Sequence, residues 1–258
     1  MSKPRVLLLE DDASLRRFVR MALEELPLEL LECDSVACAL QILQEAQVQL
    51  VFTDLMLAGE SGQGFLQRLK ANPTLQGSAK VVVVSAGLSP IVRKQLETYP
   101  VWRVLEKPVS VMALEGCVRE VLFGWRAEGA VTGEELETEC SVHDPLDRSL
   151  PTLTADESRA VALYFEGDAE LFVAYRTTCL GQLPTDVREA DVACRDADSQ
   201  ALMRVAHSLK TVLETLGYSD LSLQARKLEG LTLAEELQQA TVHWAELRTR
   251  IQGISANI

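Results

Sequence analysis

The chain has 258 residues, of which 47% are hydrophobic and 24% are charged, and its formal net charge is −13. This length accommodates two ordinary globular domains, and the composition excludes disordered and fibrous proteins. The negative charge argues against nucleic acid as a partner, since binding to phosphates requires a basic patch.

The six cysteines are scattered, with no CxxC pair and no zinc-type spacing, so we expect reduced thiols. No segment approaches the roughly 20 apolar residues that a membrane span requires, and the N-terminal apolar run is too short for a signal peptide. We therefore expect a cytoplasmic protein without membrane insertion.

The first part of the chain alternates short apolar runs with amphipathic segments. The apolar runs predict five strands, at Val6–Leu9, Leu28–Leu31, Val48–Thr53, Val81–Ser85 and Val101–Leu105. The helices between them are predicted near 13–26, 35–46, 60–71, 88–98 and 109–125. Such repeats, with nearly continuous Val and Leu strands, are typical of a doubly wound α/β domain whose five-stranded parallel sheet is covered on both faces. We assign this domain to residues 1–125.

A change of pattern follows. Residues 126–152 contain seven acidic residues against two arginines, with Gly and Pro interspersed, as in a solvated acidic linker. No strand pattern returns in residues 153–258. Helices are predicted there near 154–165, 168–195, 198–217, 219–232 and 233–252, with Pro184 expected to interrupt and kink the second. These helices predict an all-α antiparallel bundle.

Polar residues follow the predicted strands of the first domain at their carboxyl ends. In chain order they are Glu10, Asp11, Asp54, Ser85 and Lys107. Because the carboxyl ends of parallel strands meet at one edge of a sheet, we expect these side chains to gather there. Three crowded carboxylates need a cation, and oxygen ligands suit Mg²⁺. A hydroxyl and an ammonium beside them would stabilise a phosphoryl oxygen. The pattern thus predicts a carboxylate that accepts phosphate with the help of a metal ion.

Four short segments carry these residues, in this order: EDD (10–12), TDLMLAGESG (53–62), VSA (84–86) and EKP (106–108). Together they resemble the receiver domain of two-component response regulators, and the resemblance covers residues 4–125. It implies that Asp54 is the phosphoacceptor and that Ser85 and Lys107 contact the phosphoryl group.

The same resemblance implies a ligand set for Mg²⁺. Asp11, Asp54 and the Met56 carbonyl would hold the ion, and Glu10 would act through water. Two positions depart from the family: Ala58 stands where many receivers have proline, and Val104 stands at the position of the aromatic switch residue. Signalling by rotation of such a ring is therefore not expected.

A helix of the second domain carries one of the three histidines of the chain. Its apolar residues repeat at spacings of three and four, which indicates a single apolar stripe: Leu202, Val205, Leu209, Val212 and Leu216. At roughly 100° per residue, His207 and Lys210 lie on the opposite face. We therefore expect both side chains to point outward and to be exposed.

The segment AHSLKTVLETLG (206–217), followed by LSLQARKLE (221–229), resembles the histidine-containing phosphotransfer (HPt) domain, over roughly 155–252. The resemblance implies that His207 is the phosphohistidine and that Lys210 supports the phosphoryl charge. Gly217 matches the glycine that closes the helix. Thr211 stands where the family usually has glycine, close to the reacting ring.

The two resemblances together imply a phosphorelay signalling protein. A sensor histidine kinase or hybrid kinase would donate phosphate to Asp54, and His207 would carry phosphate to or from the receiver of a downstream response regulator. Exchange between Asp54 and His207 of one chain stays open. No ATP-binding kinase motif is present, so we do not expect a conventional enzyme.

Two alternatives remain at this point. The first is a phospho-switched binding adaptor whose helical bundle transfers nothing, which the presence of Thr211 favours. The second is a phosphatase-like sink that drains a relay by hydrolysis at Asp54.

Overall fold

The computed structural model describes residues 3–86, 88–124 and 152–255. The predicted acidic linker lies outside the described residues, apart from Thr152.

A parallel sheet of five strands forms the centre of the first domain, with the order β2-β1-β3-β4-β5. The strands are Arg5–Leu9 (β1), Glu29–Cys33 (β2), Leu50–Thr53 (β3), Lys80–Ser85 (β4) and Arg103–Glu106 (β5). Alternate residues of β1, β3 and β4 belong to two separate hydrophobic clusters, one on each face of the sheet. Burial on both faces explains why these strands are nearly continuous in Val, Leu and Phe. The predicted doubly wound α/β fold is confirmed.

Six helices accompany the sheet. They are Ala13–Ala22 (α1), Val36–Glu45 (α2), Gly62–Ala71 (α3), the short Pro73–Gln76 (α4), Pro90–Leu96 (α5) and Val111–Phe123 (α6). Asp12 ends the β1–α1 loop as the N-cap of α1, where its side chain accepts a hydrogen bond from the Leu15 N–H at 2.9 Å. This cap fixes the turn that presents Glu10 and Asp11 at the edge of the sheet.

The described part of the second domain consists of helices. They are Ala155–Tyr164 (α7), Ala169–Asp196 (α8), Ser199–Thr215 (α9), Ser219–Leu233 (α10) and Leu237–Ser255 (α11). The predicted bundle is confirmed. The expected interruption at Pro184 is wrong, because α8 continues through this residue. Among the described helices, none combines the length and apolar character that crossing a membrane requires.

Gly217, just after the end of α9, has a backbone conformation and a close contact that favour glycine. Its φ angle is +86°, in the left-handed region. A Cβ atom here would lie 2.7 Å from the backbone oxygen of Asp156, at the beginning of α7. Glycine therefore lets α7 pack closely against the end of α9.

The two domains share a hydrophobic core. Buried residues of α1 and α6 belong to one cluster with buried residues of α7, α8 and α9. At its centre, the ring of Phe18 from α1 meets the edges of two rings of the bundle, Phe165 at 5.4 Å and Tyr175 at 5.3 Å between centroids. Such edge-to-face pairs add to the stabilisation from burial. The helical bundle is thus docked on α1, next to the carboxyl edge of the sheet.

We predict that Phe18→Ala lowers the free energy of unfolding of the full chain by roughly 3–5 kcal/mol, because it removes a ring that both domains bury. Denaturant unfolding followed by fluorescence measures this change. Phe123→Ala is the matched control: this ring is 47% exposed on α6, and its loss should cost within about 0.5 kcal/mol, as surface substitutions usually do. Equal losses for the two variants would contradict the shared core.

Candidate functional site at the domain interface

The carboxyl ends of β1, β3 and β5 bring three charged groups together. The Nζ atom of Lys107 lies 2.6 Å from Oε2 of Glu10 and 2.6 Å from Oδ2 of Asp54. All three side chains are buried. Ser85, at the end of β4, accepts the backbone N–H of Lys107 on its carbonyl oxygen at 3.1 Å. The parallel topology therefore gathers the strand-end residues as the sequence indicated.

Asp54 is held in one orientation. Its Oδ1 atom accepts the backbone N–H groups of Leu55 at 2.5 Å and Met56 at 3.1 Å. Behind it, α3 begins at Gly62, where a Cβ atom would lie only 1.8 Å from the Asp54 carbonyl oxygen. Because the backbone occupies Oδ1, the other oxygen, Oδ2, faces Lys107 and the interior of the site.

The pKa values of Lys107 and Glu10 are shifted because two carboxylates are buried together with one ammonium. Burial alone would lower the pKa of Lys107, but Asp54 and Glu10 outweigh it and raise the pKa. Burial raises the pKa of Glu10 to about 8, and the nearby charge of Asp54 adds to this, although Lys107 opposes it. One ammonium thus accompanies two buried carboxylates at this edge of the sheet.

The predicted ligands of Mg²⁺ line a single cleft. Its volume is about 790 Å³, it opens between the two domains, and its walls include Glu10, Asp11, Asp54 and Met56. Asp11 accepts the backbone N–H of Ala58 on Oδ2 at 2.9 Å. Within residues 3–86, 88–124 and 152–255, no three His, Cys, Asp or Glu side chains form a group that could hold a metal by themselves. A metal ion here would depend on a backbone carbonyl and water in addition to carboxylates.

His207 of α9 faces Asp54 of the first domain, and Lys210 of the same helix binds Glu229 of α10. The expectation that they are exposed is wrong: only 4% and 5% of their surfaces are accessible. This face of α9 is covered by the first domain at His207 and by α10 of the bundle at both residues. Next to His207, the Ser208 hydroxyl donates a hydrogen bond to the carboxylate of Asp12.

The imidazole of His207 is oriented by Glu229 of α10. The Nδ1 atom lies 2.6 Å from Oε1 of Glu229, and the Nζ atom of Lys210 lies 2.5 Å from Oε2. Burial would raise the pKa of Glu229, but the hydrogen bonds from His207 and Lys210 outweigh it and lower the pKa. An ionised carboxylate only accepts hydrogen bonds, so Nδ1 carries the hydrogen. In the neutral form of the ring, the lone pair therefore lies on Nε2.

The Nε2 atom of His207 faces Asp54. It is buried and has no hydrogen-bond partner among the residues that the structure describes. Its distance to Oδ2 of Asp54 is 3.8 Å, longer than a hydrogen bond. The docked domains thus bring the unpartnered nitrogen of a histidine near the oxygen of Asp54 that binds Lys107.

Glu229 was missed by the sequence interpretation, although a signal for it exists. The buried positions of α10 recur at helical spacing, and Glu229 occupies one of them beside Ala225 and Leu228. A charged residue in such a stripe indicates a buried partner. Thr211 is also buried, and its hydroxyl donates to the carbonyl oxygen of His207 at 3.4 Å rather than to the ring.

Two protein families match parts of this chain. The model of the response regulator receiver domain matches residues 6–119, and the model of the Hpt domain matches residues 174–257. No curated protein matches the sequence.

Solved structures that resemble the chain are receiver domains. A signal receiver domain from Vibrio parahaemolyticus is 26% identical with a TM-score of 0.44, and the match covers 48% of this chain and 92% of that one. The signal receiver domain of an HD domain-containing protein from Pseudomonas fluorescens Pf-5 is 21% identical with a TM-score of 0.44, covering 48% and 97%. The phosphorylated cyanobacterial phytochrome response regulator RcpA is 20% identical with a TM-score of 0.44, covering 50% and 100%.

Proposed function

This chain joins a response regulator receiver domain to an Hpt domain, and we propose that it is a phosphorelay intermediate that carries phosphate on Asp54 and on His207. Receiver and Hpt domains support a role in phosphorelay signalling, with histidine kinases and response regulators as partners. The proposal concerns the two residues, the metal ion and the steps that connect them.

The proposal rests on the hydrogen bonding of two atoms, Oδ2 of Asp54 and Nε2 of His207. Oδ2 of Asp54 is the one oxygen of that carboxylate left free by the backbone. In the neutral ring of His207, Nε2 holds the lone pair because Glu229 binds the other ring nitrogen. A fixed carboxylate oxygen and an unprotonated imidazole nitrogen are the two nucleophiles that phosphoryl transfer between aspartate and histidine requires.

In the first step, Oδ2 of Asp54 attacks the phosphorus of a phosphohistidine on the kinase. The O–P bond forms as the N–P bond of the donor breaks, and the imidazole leaves. Lys107 lies 2.6 Å from the attacking oxygen, where its ammonium offsets the charge on the phosphoryl oxygens. Ser85, at the neighbouring strand end, supplies a hydroxyl donor.

The site fits Mg²⁺ by the chemistry of its donors. Asp11, Asp54 and Met56 line the same cleft as Glu10, and all offer oxygen. The charge count supports a cation here, since the single ammonium of Lys107 lies between the two buried carboxylates of Glu10 and Asp54. Mg²⁺ keeps several waters and binds few carboxylates, which suits an open cleft rather than a closed cage. When bound, the ion would lower the repulsion between the carboxylates and an incoming phosphoryl group.

At the second site, Nε2 of His207 attacks a phosphoryl group carried by a receiver aspartate. The Nδ1–H of the ring stays hydrogen-bonded to Glu229, so the positive charge that develops on the imidazole meets a carboxylate. Lys210, held by the same carboxylate, lies one helical turn from the ring. It offsets the charge of the phosphoryl group in the product.

We predict that radiolabelled acetyl phosphate labels Asp54 in the presence of Mg²⁺ and that Asp54→Asn abolishes the label, because the amide cannot form an acyl phosphate. His207→Gln is included in both proteins so that only aspartyl phosphate is counted. Asp34→Asn serves as the control, since Asp34 is an exposed aspartate just after β2. Undiminished labelling of the Asp54→Asn protein would refute the assignment of the phosphoacceptor.

We also predict that Glu229→Gln slows phosphorylation of His207 by roughly 10–100-fold, because removing a charged hydrogen-bond partner costs about 1.5–3 kcal/mol. The glutamine amide no longer forces the hydrogen onto Nδ1. The rate is measured with a phosphorylated receiver as donor, and the tautomer is followed by ¹⁵N NMR of the ring. The control is Glu246→Gln, at a side chain that is 72% exposed. A normal rate with an altered tautomer would show that Glu229 does not position the ring for transfer.

A further inference from the structure

His207 and Asp54 face each other inside one chain. The Nε2 atom of His207 lies 3.8 Å from the Oδ2 atom of Asp54. Both side chains are almost wholly buried in the docked domains. From this we infer that the receiver partner of His207 is Asp54 of the same chain, so that phosphate passes directly between the two domains. This inference rests on the proposed function and names the partner of that site.

The transfer step uses only atoms already at the interface. Starting from phosphorylated Asp54, the lone pair of His207 Nε2 attacks phosphorus opposite Oδ2. The N–P bond forms, the Oδ2–P bond breaks, and the carboxylate of Asp54 is restored beside Lys107. No proton leaves Nε2, because the ring hydrogen is on Nδ1, bound to Glu229. The reverse sequence returns the group to Asp54, so the reaction needs no additional reactant.

The interface that aligns these atoms belongs to both domains. Phe18 of α1 packs against the rings of Phe165 and Tyr175, and Ser208 donates a hydrogen bond to Asp12. The second contact lies next in sequence to reacting and ligand residues at both of its ends: Ser208 follows His207, and Asp12 follows Asp11. Docking therefore sets the position of the imidazole relative to the carboxylate directly, rather than through a long connection.

Both nucleophiles are covered in the docked state. Asp54 and His207 are almost wholly buried where the two domains meet. An external kinase or receiver therefore reaches either residue only when the domains separate, whereas transfer between Asp54 and His207 can take place in the docked state.

The test follows radiolabel in the full chain after a pulse of acetyl phosphate with Mg²⁺. Aspartyl phosphate and phosphohistidine are separated by their different stability in acid and base. Transfer within one chain predicts that label leaves Asp54 and enters His207 with a first-order rate constant that is unchanged over a roughly 100-fold range of protein concentration. A mixture of an Asp54→Asn chain and a His207→Gln chain should transfer far more slowly than wild type at the same concentration.

A charge placed in the interface provides the second arm. Ser208→Glu sets a carboxylate against Asp12 and should lower the rate of transfer to His207 by roughly tenfold or more, because like charges in contact oppose docking. Labelling of Asp54 should persist. The matched control is Ser158→Glu, which adds the same charge at an exposed position of α7 and should transfer at the wild-type rate.

The outcomes separate the inference from the function on which it rests. If Asp54 accepts label but His207 acquires it only in proportion to protein concentration, or equally well in the mixture of variants, the inference is overturned and the phosphorelay proposal stands. An Asp54 that takes no label at all overturns both. A Ser208→Glu protein that transfers as fast as Ser158→Glu shows that the docked interface does not align the two residues, and also overturns the inference.

Discussion

The packing of Phe18 against Phe165 and Tyr175 is the contact on which the functional geometry depends. It unites a hydrophobic face of the receiver with three helices of the bundle in one cluster. Because protein interiors are close-packed, such a contact restricts how far the two domains can shift relative to one another. Its direct consequence is that His207, on the polar face of α9, lies at the carboxyl edge of the receiver sheet.

That edge is short of positive charge. Two ammonium groups, of Lys107 and Lys210, accompany three buried carboxylates, of Glu10, Asp54 and Glu229. The ring of His207 adds no charge as long as it is neutral. In the proposed relay, a phosphoryl group would bring further negative charge to Asp54 or His207, and an ammonium lies beside each: Lys107 beside Asp54, and Lys210 beside His207. In the receiver, one ammonium accompanies two buried carboxylates, and this shortage of positive charge favours the proposed Mg²⁺ site.

The sequence was sufficient for the fold and for the receiver half of the site. Val and Leu strands and strand-end polar residues are local patterns, and parallel topology converts them into one cluster around Asp54 without further information. The bundle was likewise predicted from helical periodicity. The strand bounds differ by a few residues, as for the third strand, which begins at Leu50 rather than Val48.

The sequence did not predict the side-chain contacts between neighbouring helices and between the two domains. The burial of His207 depends on the docked receiver and that of Lys210 on Glu229 of α10, whereas periodicity defines only the apolar stripe of α9. Glu229 lay in the segment that resembled an Hpt domain, but its contact with His207 depends on the register between α9 and α10. Thr211 favoured an adaptor because of its bulk beside the ring. Its hydroxyl instead binds the His207 carbonyl, which leaves Nε2 accessible to Asp54.

The central claim is that His207 faces Asp54 in the full chain, and paramagnetic broadening by Mn²⁺ tests it most directly. Mn²⁺ prefers the same oxygen ligands as Mg²⁺ and broadens NMR signals of nearby nuclei. The account predicts that, as Mn²⁺ is added, the ring signals of His207 broaden together with the backbone amides of Met56 and Ala58. Broadening of those amides while the His207 ring signals stay sharp would contradict it.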